Sequence, residues 1–193
     1  MRIIAGRFKG FEVKAPKQGT RPTTDRVKEA IFSHLESRGA LYDGAAVLDL
    51  FAGTGALGIE ALSRGASHLT LVDNASQAVA LLTKAASGLR HARAWSPDLS
   101  VRVLRAKAES VAATAPTGGQ ACAVIFIDPP YAYEGADFDA LLAALAAGVW
   151  TDGETIIVAE RSARSAAPTP PEGWRIYQTK TYGETAIHYL AME

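Results

Sequence analysis

The sequence predicts an α/β fold in which a doubly wound, mostly parallel sheet of seven strands is covered by helices on both faces. The chain has 193 residues, 48% of them hydrophobic, which is ample for one apolar core. Between residues 46 and 159, short apolar runs alternate with alanine-rich helical stretches. This alternation is typical of a parallel sheet whose two faces are both buried.

The predicted elements follow one another with short connections. The last two strands flank Gly183 and are expected to form an antiparallel hairpin. A long polar loop is predicted over Gly88–Ser100 and a proline-rich connection over Ser162–Gly173. The predicted strands are Ala46–Phe51, His68–Val72, Val101–Leu104, Cys122–Ile127, Thr155–Ala159, Trp174–Thr181 and Glu184–Leu190, and the predicted helices are Ala56–Arg64, Ser76–Ala86, Glu109–Ala115 and Asp137–Ala147.

The N-terminal part of the chain has a different pattern and is predicted as a small extension, residues 1–40, ahead of a main domain over residues 41–193. It begins with two short strands, Arg2–Arg7 and Phe11–Ala15, which turn at Lys9-Gly10. Apolar residues then recur at helical spacing from Asp25 onwards, which predicts an amphipathic helix of about three turns.

Charge is distributed unevenly although the net charge is zero. Residues 1–40 carry nine Lys or Arg and four Asp or Glu, a net charge of +5, and the rest of the chain carries −5. A basic segment ahead of an acidic body suggests contact with a polyanion. An ordinary solvated basic surface is the alternative.

Several classes of protein are excluded by composition. No apolar run approaches the roughly 20 residues that cross a bilayer, and the N-terminus lacks the apolar centre of a signal peptide. The single cysteine excludes an intrachain disulfide, and the four histidines show no ligand spacing. We therefore expect a cytoplasmic protein without a metal.

A glycine loop follows the first strand of the main domain. The segment Asp49-Leu-Phe-Ala-Gly53-Thr-Gly55-Ala-Leu-Gly58 connects a strand to a helix, as nucleotide-binding loops of Rossmann-like folds do. Asp73 ends the next strand, 20 residues after Gly53, where a carboxylate can accept both ribose hydroxyls. This pattern alone allows NAD, S-adenosylmethionine, or a tight turn without a ligand.

Two carboxylates favour S-adenosylmethionine. Asp49 precedes the glycine loop and can receive the ammonium of a methionine group, whereas a pyrophosphate would gain nothing from a negative charge there. The second is Asp128, in Asp128-Pro129-Pro130-Tyr131 at the carboxyl end of the fourth strand. The prolines stiffen this loop and remove amide donors, so that a carboxylate and carbonyls can bind an exocyclic amine while Tyr131 stacks on its planar ring.

The motifs DLFAGTG, LVDN and DPPY resemble those of class I S-adenosylmethionine-dependent methyltransferases that modify planar amino groups. Together with RIIAGRFKG, TRPTTDRVKEAIF and EALSRGA they resemble the RsmD family of bacterial 16S rRNA (guanine-N2)-methyltransferases over essentially the whole chain. The resemblance implies that Asp128, Pro129, Pro130 and Tyr131 hold the guanine amine for catalysis, and that the cofactor is bound by Asp49, Phe51, Gly53, Thr54, Gly55, Asp73, Asn74 and Ala108.

The resemblance also implies a partner, 16S rRNA in an assembling small ribosomal subunit, bound by a monomer. Phosphate contacts would then come from the basic extension, through Arg2, Arg7, Lys9, Arg21 and Arg26. The chain departs from the family pattern at Lys107, where such enzymes usually have a small polar or acidic residue beside the adenine. The backbone amide of Ala108 is the contact expected there.

Other functions are compatible with parts of this pattern. A DNA adenine-N6 or protein amide methyltransferase would use the same loop, but those groups commonly have Asn where this chain has Asp128. An NAD-dependent oxidoreductase would need a proton-relay pair such as Tyr-x-x-x-Lys, which the loop tyrosines lack. A non-catalytic rRNA-binding assembly factor would have no need of the intact DPPY loop.

Overall fold

A computed structural model describes residues 1–14, 25–116, 119–130 and 132–193. It has a seven-stranded sheet in the order β3-β2-β1-β4-β5-β7-β6, which confirms the predicted fold class. The strands are β1 (Ala46–Leu50), β2 (His68–Asp73), β3 (Ser100–Arg105), β4 (Val124–Ile127), β5 (Ile156–Ser162), β6 (Trp174–Tyr182) and β7 (Thr185–Met192).

The first five strands run parallel, and β7 pairs antiparallel with both β5 and β6. The strand order reverses between β1 and β4, which are neighbours with Asp49 opposite Phe126. Ligands of open α/β sheets bind in the crevice that forms at the carboxyl ends of the strands at such a point. The predicted antiparallel hairpin is confirmed, with a bulge at Tyr177 that interrupts the register between Ile176 and Gln178.

Helices cover both faces of the sheet, as the apolar strands require. One core contains Ile31 and Phe32 of α1 together with residues of α2 and α3, and the other contains residues of α4 and α5 such as Val111 and Leu142. The helices are α1 (Asp25–Ser37), α2 (Ala56–Arg64), α3 (Ser76–Arg90), α4 (Ala108–Ala112) and α5 (Gly135–Ala147).

The predicted N-terminal strands are wrong in extent. A single antiparallel bridge, Arg2 with Glu12, joins the two arms within residues 1–14, and residues 5–10 are turns and bends. Backbone hydrogen bonds from Ile3 to Phe11 and from Gly10 to Ile3 close a short hairpin, but two amides of the first arm have partners outside it. Ile4 and Ala5 donate to the Glu60 carboxylate of α2 at 2.8 and 3.0 Å.

The N-terminal loop, defined here as residues 2–11, is fixed to α2 by a buried ionic network. Both Glu60 and Lys28 are fully buried, and the Lys28 ammonium lies 3.5 Å from Glu60 and donates to the Arg2 carbonyl at 3.0 Å. Arg64 adds a 2.8 Å ion pair to Glu60. Because Phe8 lies in the same core cluster as the sheet residues, this loop packs on the body of the molecule.

Two predicted helices have different ends. Helix α3 continues to Arg90, four residues beyond its predicted end, and the Phe11 ring packs against it at Gly88, 3.2 Å from where a Cβ would lie. Helix α4 ends at Ala112 and is shorter than predicted. In the part of the chain that is described, no helix has the length and apolarity needed to span a membrane.

Candidate functional site

A pocket of about 1090 Å³ opens at the carboxyl ends of the parallel strands. Its walls come from the loops after β1, β2, β3 and β4 and from the end of β5. The pocket brings together most of the residues predicted to form the site: Asp49, Phe51, Gly53, Thr54, Asp73, Asn74, Ala108, Asp128, Pro129 and Pro130 all line it. The residues predicted to bind the cofactor and those predicted to bind the acceptor therefore share one cavity.

The glycine loop is shaped by positive φ angles at Gly53 (54°) and Gly55 (79°), which glycine adopts without strain. Gly55 precedes α2 as its N-cap and does not line the pocket. A Cβ on Gly55 would meet the Leu82 side chain at 2.7 Å, so its contribution is close packing. Asp73 holds the loop in place, because its Oδ2 accepts the Gly53 amide at 2.9 Å while Oδ1 accepts the Ala75 amide at 2.8 Å.

Asp49 is a buried carboxylate that accepts a hydrogen bond from a nearby backbone amide. The backbone amide of Gly58 donates to its Oδ2 at 2.9 Å. Gly58 can come this close because it has no side chain, whereas a Cβ there would lie only 3.0 Å from that oxygen. Burial raises the pKa of Asp49 to about 7 against the opposing effect of the Gly58 hydrogen bond, and the charge of Asp73 raises it further. A cation bound beside Asp49 would offset the unfavourable free energy of burying the charge of its carboxylate.

Asp128 lies at the end of β4 and is largely buried. Burial raises its pKa well above the usual carboxyl value, and the charges of Glu160 and Asp49 act in the same direction. Pro129 and Pro130 follow it on the pocket wall. The Pro130 carbonyl accepts the Tyr133 amide at 2.9 Å, so this carbonyl already has a partner within the chain. Tyr131 lies outside the described residues.

The opposite wall is formed by the start of α4. Lys107, Ala108 and Glu109 all line the pocket, with Ala108 buried and the other two exposed. The Tyr133 hydroxyl donates to the Glu109 carboxylate. Phe51 has a positive φ of 61°, which is unusual for a residue with a side chain, and its ring meets the Tyr133 ring edge-on at 5.1 Å.

The basic residues predicted to contact RNA are divided between two places. Arg26 lines the pocket. Arg7 and Lys9 are exposed on the N-terminal loop, where the Arg7 amide donates to the Ser63 carbonyl near the end of α2, about 10 Å along the helix from the pocket. Arg2 is exposed and ion-paired with Glu12 at 2.9 Å. Arg21 lies outside the described residues.

Glu160, Arg161 and Tyr133 are among the pocket residues that were missed by reasoning from the sequence. Glu160 and Arg161 lie in β5, which runs to Ser162 and not to Ala159 as predicted. The general rule that ligands meet the carboxyl ends of parallel strands would have indicated them had the strand end been placed correctly. Tyr133 enters the pocket only because the chain folds back after Pro130.

The described residues contain no group of three or more His, Cys, Asp or Glu side chains that could hold a metal ion. Cys122 is buried, and burial raises the pKa of its thiol to about 12, so it is a core residue.

Comparison with known proteins shows which family the chain belongs to. The model of a family described as conserved hypothetical protein 95 matches residues 1–191. The ribosomal RNA small subunit methyltransferase D of Escherichia coli strain K12 is 33% identical over 194 residues, covering 100% of this chain and 90% of that protein. The chain belongs to the RsmD family of rRNA methyltransferases.

Other RsmD-like proteins agree with this assignment. YlbH of Bacillus subtilis is 38% identical over 191 residues, covering 97% of this chain and 96% of that protein. The solved structure of yhhF from Escherichia coli superposes with a TM-score of 0.83 at 32% identity and covers 100% of this chain and 98% of its own. The RsmD family resemblance seen in the motifs is thereby confirmed over the full chain.

Proposed function

We propose that this protein transfers a methyl group from S-adenosylmethionine to the exocyclic N2 amine of a guanine in 16S rRNA. The observation that carries the proposal is that the Asp128-Pro129-Pro130 loop and the glycine loop line one pocket. A carboxylate suited to an amine therefore faces the site that holds a nucleoside. The rRNA substrate is supported by the relative named ribosomal RNA small subunit methyltransferase D.

The pocket fits S-adenosylmethionine by the chemistry of its side chains. Asp49 is a buried carboxylate of raised pKa, which a cationic methionine ammonium would keep ionised. Asp73 already accepts two amides, but each carboxylate oxygen has a second lone pair for a ribose hydroxyl. The apolar surfaces of Phe51 and Ala108 suit the adenine. When bound, the cofactor supplies an electrophilic methyl group.

The protein's contribution to the reaction is to orient the amine and take up its proton. The lone pair of the guanine amine is delocalised into the ring, so hydrogen bonds from the amine to the Asp128 carboxylate and the Pro129 carbonyl would turn the nitrogen towards a reactive geometry. As the new N–C bond forms, one N2 proton must leave. The raised pKa of Asp128 suits it to receive that proton, directly or through water.

The rRNA would reach this pocket with its target guanine unpaired or flipped out of a helix. Arg26 at the pocket and Arg7 and Lys9 on the N-terminal loop would bind phosphates, and we place Arg2 and Arg21 in the same role. Residues 1–40 thus supply the RNA contact and residues 41–193 the catalytic domain. The protein would act as a monomer in the cytoplasm, on the assembling small subunit.

The test is methylation of small ribosomal subunits that carry unmethylated 16S rRNA, and of the naked rRNA, with labelled cofactor followed by nucleoside analysis. N2-methylguanosine is the expected product. Asp128→Asn should lower kcat by about 100-fold or more while cofactor affinity stays near that of the wild type, because Asn can accept a hydrogen bond but not the proton. Labelled adenosine, a DNA or protein product, or no product would contradict the proposal.

A further inference from the structure

Tyr133 contacts several elements around the pocket, and none of the roles assigned so far uses it. Its ring meets Phe51 edge-on, with the two ring planes at 68°. Its second aromatic neighbour is Phe138, also edge-on, with centroids 6.5 Å apart. The side chain is only partly buried, so these contacts fix the ring at the pocket wall and leave one side facing the cavity.

The polar groups of Tyr133 connect three separate elements. Its hydroxyl donates to Glu109 at the start of α4, on the wall assigned to the cofactor. Its amide donates to the Pro130 carbonyl at 2.9 Å, in the loop assigned to the acceptor amine. Its carbonyl accepts from Nη1 of Arg161 at 3.1 Å, in β5. One residue therefore joins the cofactor half of the pocket to the acceptor half.

We propose that Tyr133 is a positioning residue through which cofactor binding and rRNA binding strengthen each other. This inference rests on the proposed function. A nucleoside packed against Phe51 and the start of α4 restrains the Tyr133 ring and hydroxyl, and the Tyr133 amide then fixes Pro130 and with it the Asp128 loop. Such coupling between two binding sites is reciprocal and typically changes affinity by about 5- to 150-fold.

The chain offers a matched pair of variants. Tyr133→Phe keeps the ring against Phe51 and removes the hydroxyl bond to Glu109. Tyr177→Phe is the control, because Tyr177 is also half-buried, also ring-packed, and hydrogen-bonded through its hydroxyl to His34 Nε2 at 2.9 Å, but does not line the pocket. Both variants lose one hydrogen-bonded phenol hydroxyl.

The first measurement is the affinity for small subunits with unmethylated 16S rRNA, with and without saturating S-adenosylhomocysteine. In the wild type and Tyr177→Phe we expect the ligand to tighten rRNA binding at least fivefold. In Tyr133→Phe the ratio of rRNA affinity with the ligand to rRNA affinity without it should fall close to one. Adding Glu109→Ala to this variant should lower the ratio no further. An equal ratio in Tyr133→Phe and the wild type, or a wild-type ratio of one, would overturn the inference.

The second measurement needs no rRNA and keeps this inference separate from the proposed function. Hydrogen exchange of the amides of residues 132–134 should slow when S-adenosylhomocysteine binds the wild type or Tyr177→Phe, and should not slow in Tyr133→Phe. Equal slowing in all three proteins would overturn the role of Tyr133. If the wild type binds and methylates no rRNA, the proposed function fails instead, whatever the exchange result.

Discussion

At the scale of single residues, the fold changes the charge state of Asp49, because burial raises the pKa of its carboxyl. Its pKa of about 7 means that the folded protein holds a proton that the unfolded chain, with a carboxyl pKa of 3.8, has already released. Between these two values the folded state binds more protons, so the contribution of Asp49 to the stability of the free protein falls as pH rises from 3.8 through 7.

The same shift predicts the pH dependence of cofactor binding. If the ammonium of S-adenosylhomocysteine binds the ionised carboxylate, as proposed, affinity should rise with pH and level off above about 7, weakening by up to about tenfold per unit below that value. Calorimetry across this range should also show proton release below pH 7. Asp49→Asn should bind more weakly and with a flatter profile, and a flat profile for the wild type would refute the assignment.

Gly58→Ala should disrupt the support of that carboxylate. A Cβ at this position would lie 2.7 Å from Leu71 Cδ2 and 2.8 Å from Leu69 Cδ1, so helix α2 must move away from the sheet and from Asp49. We expect a loss of about 1–3 kcal/mol in unfolding free energy, measured by denaturant titration, together with weaker cofactor binding.

Gly153→Ala is the control for this substitution, because nothing lies within 4 Å of a Cβ built there. It should change the unfolding free energy by no more than about 0.5 kcal/mol. Equal effects of the two substitutions would mean that close packing at Gly58 is not what positions α2.

Part of the site was predictable at this scale and part was not. Asp49, Asp73 and Asp128 each lie at or beside the end of an apolar run, so the position of each carboxylate follows from the strand pattern alone. Glu160 and Tyr133 were not predictable in this way. Strand β5 extends past Ala159 through its pairing with β7, and Tyr133 is held by Glu109 and Arg161, so both positions depend on contacts with distant residues.

At the scale of elements, the N-terminal loop shows why a local pattern predicted strands that are too long. Alternating apolar residues and a turn at Lys9-Gly10 are typical of a hairpin. The amides of Ile4 and Ala5 instead bind Glu60, 56 and 55 residues away. A pattern over ten neighbouring residues cannot indicate this contact, because Glu60 lies far away in the sequence. Its carboxylate can bind the two amides only after α2 has packed against the N-terminal loop.

Gly6→Ala should separate the N-terminal loop from α2. Gly6 has φ of 80°, and a Cβ there would lie 1.9 Å from the Ser63 carbonyl oxygen, so an alanine cannot dock. Gly10→Ala is the matched control, with φ of 87° and nothing within 4 Å of its Cβ. The control should lose only the backbone cost of about 1 kcal/mol, and Gly6→Ala should lose clearly more in denaturant unfolding.

The rate of trypsin cleavage is an independent test of Gly6→Ala and Gly10→Ala. With the loop undocked, cleavage after Arg7 and Lys9 should be faster in Gly6→Ala than in Gly10→Ala, because the Arg7 amide no longer binds Ser63. If the two variants unfold and are cleaved alike, the contact with Ser63 is not what holds the loop.

At the scale of the whole molecule, charge is separated between the basic N-terminal part and the acidic remainder. Replacing Arg7 and Lys9 with Gln should weaken rRNA binding and reduce the dependence of log K on log salt by roughly 0.7–0.9 for each phosphate that the variant no longer binds. Cofactor affinity and the choice of nucleotide should not change, because phosphate contacts position the RNA without specifying a base.

The control is a second double variant, Arg175→Gln with Lys180→Gln, on strand β6 at the opposite edge of the sheet from β3. It removes the same charge from the molecule but leaves the N-terminal loop intact. Titrations with small subunits at several salt concentrations would show equal slopes for both double variants if net charge alone governs binding, and the contact role of Arg7 and Lys9 would then be wrong.

The sequence predicts which segments form strands of the sheet, but it does not predict the order of all the strands. Strands β1 and β4 and the first half of β5 are buried on both faces, which predicts a parallel sheet between two helical layers. The position of β7 between β5 and β6 has no local signal, since a hairpin can join a sheet by either of its strands. What selects β7 is its burial, with Ile187 and Tyr189 buried in one core and Leu190 in the other.

This placement of β7 has a consequence for the order of folding. Strand β6 reaches the sheet only through β7, so it cannot dock alone. The hairpin closes over the two residues Gly183 and Glu184, a short loop that forms within microseconds, whereas each parallel pair must wait for a crossover helix. The hairpin can therefore form early as a local unit and join late, adding both strands to the edge of β5 in one step.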